Sequence, residues 1–248
     1  MRLGVIADVH ANLPALEACL SELDRRCVDR VVCLGDVVGY GAEPRACVAL
    51  LRARAIATVR GNHDHDVAST DLQAGTGSAA RAVLSWTREE LHELDRRWLG
   101  ELPAHLVLDP PGVILAHGCF LNDVFFRGYV TSTMLETNLR AIAGNGSWPR
   151  VALCGHTHVP MCGWLAGDAV EERRALASWP EGASAVLVNP GSVGQPRDAE
   201  PTACCAIVDL GARTAEVLRV AYDVEAAIAA LHRAGLPPEL GHRLREGR

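Results

Sequence analysis

The sequence predicts an α/β fold in which two sheets pack together with helices outside. Three observations lead there. Short apolar runs alternate with amphipathic helical periods as far as Cys154. Polar clusters sit at the carboxyl ends of several of those runs, where open α/β sheets place their ligands. Beyond Cys154, strand-like runs at 185–188, 204–208 and 215–220 follow one another without helices, the pattern of an antiparallel second sheet.

Taken in order, residues 3–7 read as a buried strand. Asn12 then stands at an N-cap, opening a helix with Leu13, Leu16, Leu20 and Leu23 on one face. A second strand over 31–34 ends at Gly35-Asp36, and a helix follows over 44–52. A third strand over 55–59 ends at Gly61-Asn62-His63-Asp64. From 67 to about 102 a polar stretch (69–78) gives way to helical periodicity through Leu84, Leu91, Leu94 and Trp98, read as a helical insertion within one domain spanning 1–248. Strands over 105–108 and 113–116 come next, the latter ending at His117. A helix over 133–143 precedes a strand over 151–154 that runs into Gly155-His156-Thr157-His158. Gly35, Gly61 and Gly155 read as tight turns that bring backbone close to these clusters.

Composition narrows the function. The net charge is −6 and no basic run exceeds two residues, so the chain lacks the basic stripe that tracks a long nucleic acid. Small phosphate esters remain open, because bound cations can reverse the field of an acidic cleft. Nine cysteines form no CxxC pair, and several lie in apolar runs, which fits reduced thiols and a cytoplasmic location. No apolar segment reaches the roughly 20 residues of a membrane span.

The five polar clusters carry the chemistry. In Asp8-Val9-His10 and His156-Thr157-His158 the donors stand at i and i+2, so an extended backbone projects both to one side. Asp8, His10, Asp36, Asn62, His117, His156 and His158 make seven oxygen and imidazole donors. That is too many for one four-coordinate ion and right for two ions sharing a ligand. Such donors suit manganese first, with iron, zinc, cobalt or nickel as alternatives. Paired ions clamp the attacking and leaving oxygens of an in-line displacement, which is the chemistry of phosphoester hydrolysis.

In this ordered set the chain resembles the calcineurin-like metallophosphoesterases, and within them the compact bacterial phosphodiesterase- and phosphatase-like members. Their signature runs D-x-H, G-D, G-N-H-D/E, H, G-H-x-H, and every block is matched between Asp8 and His158. The resemblance implies a four-layer αββα sandwich of two mixed sheets. It assigns Asp8, His10, Asp36 and His158 to one cation, and Asp36, Asn62, His117 and His156 to a second. It implies attack by a metal-bridging hydroxide on a small phosphomonoester or phosphodiester, nucleotide-derived esters included, with His63 assisting the leaving oxygen and Asp64 orienting that imidazole. The alternative is a non-catalytic metal-binding scaffold of the same fold, against which the retention of His63 beside every ligand argues.

The chain departs from the family's protein phosphatases and diadenosine tetraphosphatases after Asp36. It reads Val37-Val38-Gly39-Tyr40-Gly41, with no arginine to hold phosphate. Arg197, in a segment over 189–198 similar to one in the compact members, is the candidate substitute, the alternative being an ordinary exposed arginine. The aromatic residues Phe120, Phe125, Phe126 and Tyr129 suit either a wall for an aryl leaving group or loop packing. Cys119 reads as a small buried residue. His65, His92, His105, His232 and His242 match no ligand spacing, and Arg243, Arg245 and Arg248 read as a solvated tail.

Overall fold

The computed structural model describes residues 1–69, 78–121 and 125–248. Most of the polar stretch at 69–78, and residues 122–124 of the aromatic loop, lie outside the described residues. One six-stranded sheet runs β3 (Ala57–Thr58), β2 (Arg30–Cys33), β1 (Arg2–Ile6), β11 (Ala203–Asp209), β12 (Thr214–Val220), β9 (Leu176–Ser178). The other runs β4 (His105–Leu108), β5 (Val113–Ala116), β6 (Val151–Leu153), β10 (Ala185–Asn189), β7 (Met161–Ala166), β8 (Ala169–Arg173). Both are mixed: β1, β2 and β3 are mutually parallel, as are β5, β6 and β10, while β11 is antiparallel to β1 and β7 to β10.

Side-chain alternation builds the layers. Leu3 and Val5 of β1 point inward with Val32, Ala206 and Val208, meeting Val113, Leu115, Leu153, Val186, Val188 and Trp164 of the facing sheet in one apolar layer. Ile6 and Cys33 point the other way, onto Leu16, Leu20 and Leu23 of α1 (Leu13–Arg25) and Cys47, Val48 and Leu51 of α2 (Pro44–Ala53). On the far side Ile114, Ala152 and Leu187 pack on Leu135, Leu139 and Ile142 of α6 (Ser132–Gly144). The order helix, sheet, sheet, helix is the predicted αββα sandwich.

The division of strands between sheets differs from the sequence reading. The strands near 204–208 and 215–220 do not join the 185–188 strand in an antiparallel second sheet: β11 and β12 extend the first sheet beside β1, with Val5 opposite Ala206. Pairing between strands so distant in sequence is set by which apolar faces meet, and no local pattern reports it. Strands β7, β8 and β9 were not anticipated. Nor were α3 (Asn62–Ala68), α7 (Val224–Arg233) and α8 (Pro238–Glu246). The C-terminal arginines are therefore not a tail, because α8 packs its Leu240 and Leu244 with Ile228 and Leu231 of α7. Between α3 and β4 lie α4 (Ser78–Glu90) and α5 (Glu93–Glu101). Among the described residues no helix is long and apolar enough to cross a membrane.

Candidate metal centre

All the strand-end clusters meet at one edge of the sandwich. Asp8 and His10 follow β1, Asp36 follows β2, His117 follows β5, and His156 and His158 follow β6. Their ligand atoms form two triads, Asp8–His10–His158 and Asp36–His117–His156, with the atoms of each within 4.8 Å of one another. A third grouping, His10–Asp36–His63, links them. Every member is buried. Within the cluster Asp8 Oδ1 is 3.3 Å from His158 Nε2, and Asp36 Oδ2 is 3.3 Å from His117 Nε2 and 3.8 Å from His10 Nε2.

Main-chain carbonyls set the imidazole tautomers. His10 Nδ1 faces Val38 O at 3.2 Å, His117 Nδ1 faces Leu34 O at 2.8 Å, and His158 Nδ1 faces Gln195 O at 2.5 Å. An N–H donated to a carbonyl from Nδ1 leaves each Nε2 lone pair free for a cation. His156 presents the opposite nitrogen, its Nδ1 lying 3.1 Å from His117 Nε2. The His156 N–H donates to Asp8 Oδ2 at 3.0 Å, fixing that carboxylate.

The backbone here is strained. Asp8, His10, Asp36, His156 and His158 all have positive φ, between 48° and 69°. Left-handed backbone at non-glycine residues costs about 1–3 kcal/mol each and persists where surrounding structure imposes it. Hydrogen bonds supply part of that constraint: Ser192 Oγ donates to Asp8 O at 2.9 Å, and Asn189 Nδ2 to Gly155 O at 2.7 Å. Gly61 permits a further close approach, since a Cβ there would lie 2.0 Å from Asp36 Oδ1.

Charge is balanced inside the cluster. Burial alone would raise Asp36, yet the imidazoles of His117, His63 and His10 outweigh it and hold the carboxyl well below the usual range. For His117 burial opposes protonation, but Asp36 and Asp8 prevail and raise it to about 9. Burial, then His117, depresses His156 to about 3. Burial, then His158, holds His10 well below the ordinary histidine value. A proton and a cation would compete for the same His117 lone pair, so a cation bound here would displace a proton.

The donor set fits divalent cations. Asn62 Oδ1 is buried with no hydrogen-bond partner, which is costly for a polar atom unless a ligand takes it up. His63 Nδ1 is likewise buried and unpartnered, while the His63 N–H donates to Asp36 Oδ1 at 2.9 Å. Burial lowers the His63 imidazole below its ordinary value.

Asp64 stands differently from expectation. Its Oδ1 accepts from the N–H groups of Val37 and Val38 at 2.9 and 3.3 Å, and its Oδ2 from Gly61 at 2.9 Å. Both oxygens are engaged by backbone, so Asp64 braces the two ligand loops and caps α3 in place of orienting His63. Burial, then the charge of Asp36, pushes Asp64 up to about 7 even against those donors.

Arg197 lies beside the cluster. Its Nη2 donates to Gln195 Oε1 at 3.2 Å and to Tyr40 Oη at 3.5 Å, and the Tyr40 ring stands 4.8 Å from that of His63. Asn12 caps α1 through Ala15 N at 3.3 Å and also binds Gly194 O, as its capping reading requires. Phe120 and Phe125 are core residues, packed on Trp148. Tyr129, 51% exposed, instead stacks on His156 at 4.0 Å. Cys119 is buried. Sequence reasoning passed over Tyr40, although an aromatic residue between Gly39 and Gly41 shortly after Asp36 was a usable signal, and read Arg243 as part of a solvated tail, whereas its Cζ stands 5.4 Å from the Tyr40 ring.

The chain is similar to known proteins along its whole length. A family model for the calcineurin-like phosphoesterase superfamily domain matches residues 1–213. Uncharacterized protein MJ0912 of Methanocaldococcus jannaschii is 30% identical over 99% of this chain and 98% of its own. The crystal structure of a metallophosphoesterase from Sphaerobacter thermophilus superposes with a TM-score of 0.84 at 33% identity, covering 100% of this chain and 99% of the other. A hypothetical protein from Pyrococcus horikoshii (PH1004) shares the fold, with a TM-score of 0.81 at 24% identity over 100% of this chain and 98% of its own.

Proposed function

Because the chain belongs to the calcineurin-like phosphoesterase superfamily, and so to the metal-dependent phosphoric ester hydrolases, we propose that it cleaves a small phosphomonoester or phosphodiester at two divalent cations. One observation carries the count of two: the triads Asp8–His10–His158 and Asp36–His117–His156 lie side by side, with Asp36 Oδ2 facing both His10 and His117. Asp8, His10, Asp36 and His158 would hold one cation, and Asp36, Asn62, His117 and His156 the other. The donor set favours manganese, with iron, zinc, cobalt or nickel also compatible.

Bound divalent cations would neutralise charge on the phosphoryl oxygens and lower the pKa of an attacking water. The protein's own groups do the rest. Asp36 fixes the start of α3 through the His63 N–H, so the imidazole is carried on the residue directly after a ligand. That imidazole offers a nitrogen beside the donors His10 and Asp36, and His63 is the group proposed to assist departure of the leaving oxygen. Arg197 would hold a phosphoryl oxygen through its guanidinium. Tyr129 borders a cavity of about 290 Å³ shared with Thr131, Thr157 and Arg174, room for an aromatic leaving group. Eight of the nine cysteines are buried and none forms a disulfide, which supports the cytoplasm as the location.

The test is hydrolysis of p-nitrophenyl phosphate and bis-p-nitrophenyl phosphate by manganese-loaded protein, with metal content measured alongside. Turnover of either ester at two cations per chain supports the reading. Two bound cations without turnover of any mono- or diester would favour the non-catalytic scaffold.

A further inference from the structure

Two arginines converge on one aromatic ring beside the metal centre. Arg197 lies in the loop between β10 and β11 and Arg243 in α8, and their Cζ atoms stand 5.9 and 5.4 Å from the Tyr40 ring centroid. The same ring is 4.7 Å from His10 and 4.8 Å from His63, so one side chain links both arginines to the donor cluster.

Like charges gathered in this way cost free energy unless an anion offsets it. Asp198, next to Arg197 in sequence, pairs with Arg219. Among the described residues neither Arg197 nor Arg243 forms an ion pair with an Asp or Glu side chain, whereas Arg219 and Arg245, their neighbours in the fold and in sequence, do. Arg197 donates from Nη2 only to the neutral oxygens of Gln195 and Tyr40, and its Nε is buried with no partner. Arg243 donates from Nε to the main-chain oxygen of Arg248 at 2.9 Å. Burial, then the charge of Arg197, holds Arg243 below the usual arginine range. Arg243 also lines an open depression with Glu239, His242 and Arg248, so small anions can reach it from solvent.

We propose that Arg197 and Arg243 form a two-arginine subsite for a second phosphoryl group of the substrate, adjacent to the one held at the metal donors. The ligand's identity rests on the phosphoesterase reading. Planar guanidinium groups bind phosphate through paired, charge-assisted hydrogen bonds, and two of them suit a terminal phosphoryl dianion better than a diester monoanion. The substrate class is then a nucleoside diphosphate, a longer polyphosphate or a bisphosphate.

The test compares AMP and ADP as inhibitors of p-nitrophenyl phosphate hydrolysis, with the cation in excess, for wild type, R243Q and R243K. Wild type is expected to bind ADP more tightly than AMP by about tenfold or more, the size of one charge-assisted contact. R243Q should erase that preference and R243K should restore part of it. Calorimetry with inorganic phosphate on metal-stripped protein provides an independent arm, in which wild type binds and R243Q binds about tenfold more weakly. Thermal melts confirm that both variants fold. An unchanged ADP preference in R243Q, or equal phosphate affinity in the calorimetric arm, overturns the subsite. Failure of wild type to hydrolyse either p-nitrophenyl ester counts against the phosphoesterase reading, and the calorimetric arm then still decides whether the arginine pair binds phosphate.

Discussion

The carboxylate of Asp36 is divided between His63 and the metal donors: Oδ1 accepts the His63 N–H at 2.9 Å, while Oδ2 faces His117 and His10 at 3.3 and 3.8 Å. One side chain thus ties the start of α3 to both halves of the donor cluster. Asp36→Asn keeps the shape but removes the charge that attracts cations. It should drop metal content from two ions per chain to one or fewer and cut hydrolysis by about a hundredfold or more, since even outer partners of metal ligands are worth 10–100-fold. Metal analysis of the purified variant, read beside its turnover, checks this; two tightly held ions in the variant would remove Asp36 as the shared ligand.

His63 stands within ligand reach of His10 and Asp36, so catalytic and ligand roles must be separated. His63→Gln should lower turnover by about 10²–10⁴, the usual worth of a positioned acid–base group, while leaving two ions bound. Loss of one ion together with activity would make His63 a ligand instead.

Asp64 is predicted to matter for stability first. Removing its carboxylate strands the N–H groups of Gly61, Val37 and Val38, all buried. Asp64→Ala should destabilise the fold by about 2–4 kcal/mol, with Asp64→Asn intermediate because one acceptor oxygen survives. Urea denaturation of both variants measures the cost. A full-strength fold in Asp64→Ala would contradict the bracing role.

Chelation should lower thermal stability as well as abolish activity. At cation concentrations about a hundred times the dissociation constant, binding contributes roughly 2.7 kcal/mol, which for a chain of this size corresponds to about 5–10 °C in Tm. Melting curves with and without EDTA provide the comparison, and identical curves would show that no cation is held in the folded state.

The site was more legible in the sequence than the fold around it. Asp8, Asp36, His117 and His156 each follow a short apolar strand, and parallel strands deliver such ends to one edge, so local pattern was enough. The sheet order was not, because β1 pairs with β11 across most of the chain, Leu3 lying opposite Val208. Helix α3 was hidden by its own chemistry: Asn62-His63-Asp64 reads as donors before it reads as a first turn. Helix α8 was hidden by its charge, and with it the placement of Arg243 over Tyr40. Asp64 could not be read as a brace, since its partners Val37 and Val38 belong to another loop.

Gly39 ties the glycine-flanked loop to His63 and permits a sharper test of that histidine's positioning. Its φ is +90°, and a Cβ added there would lie 2.4 Å from His63 Nδ1, inside any tolerable contact. Gly39→Ala therefore carries two costs: backbone strain of about 1–3 kcal/mol, and displacement of the imidazole. The second acts only through His63. In the wild-type background Gly39→Ala should depress turnover while two cations stay bound, because no metal donor is touched. In a His63→Ala background it should cost almost no further turnover, and its destabilisation should shrink to the strain alone. A double-mutant cycle on activity and stability reads this coupling directly, since contacting residues depart from additivity by about 0.5–3 kcal/mol. Additive effects in both readouts would mean that the glycine serves only the turn and that His63 keeps its position without it.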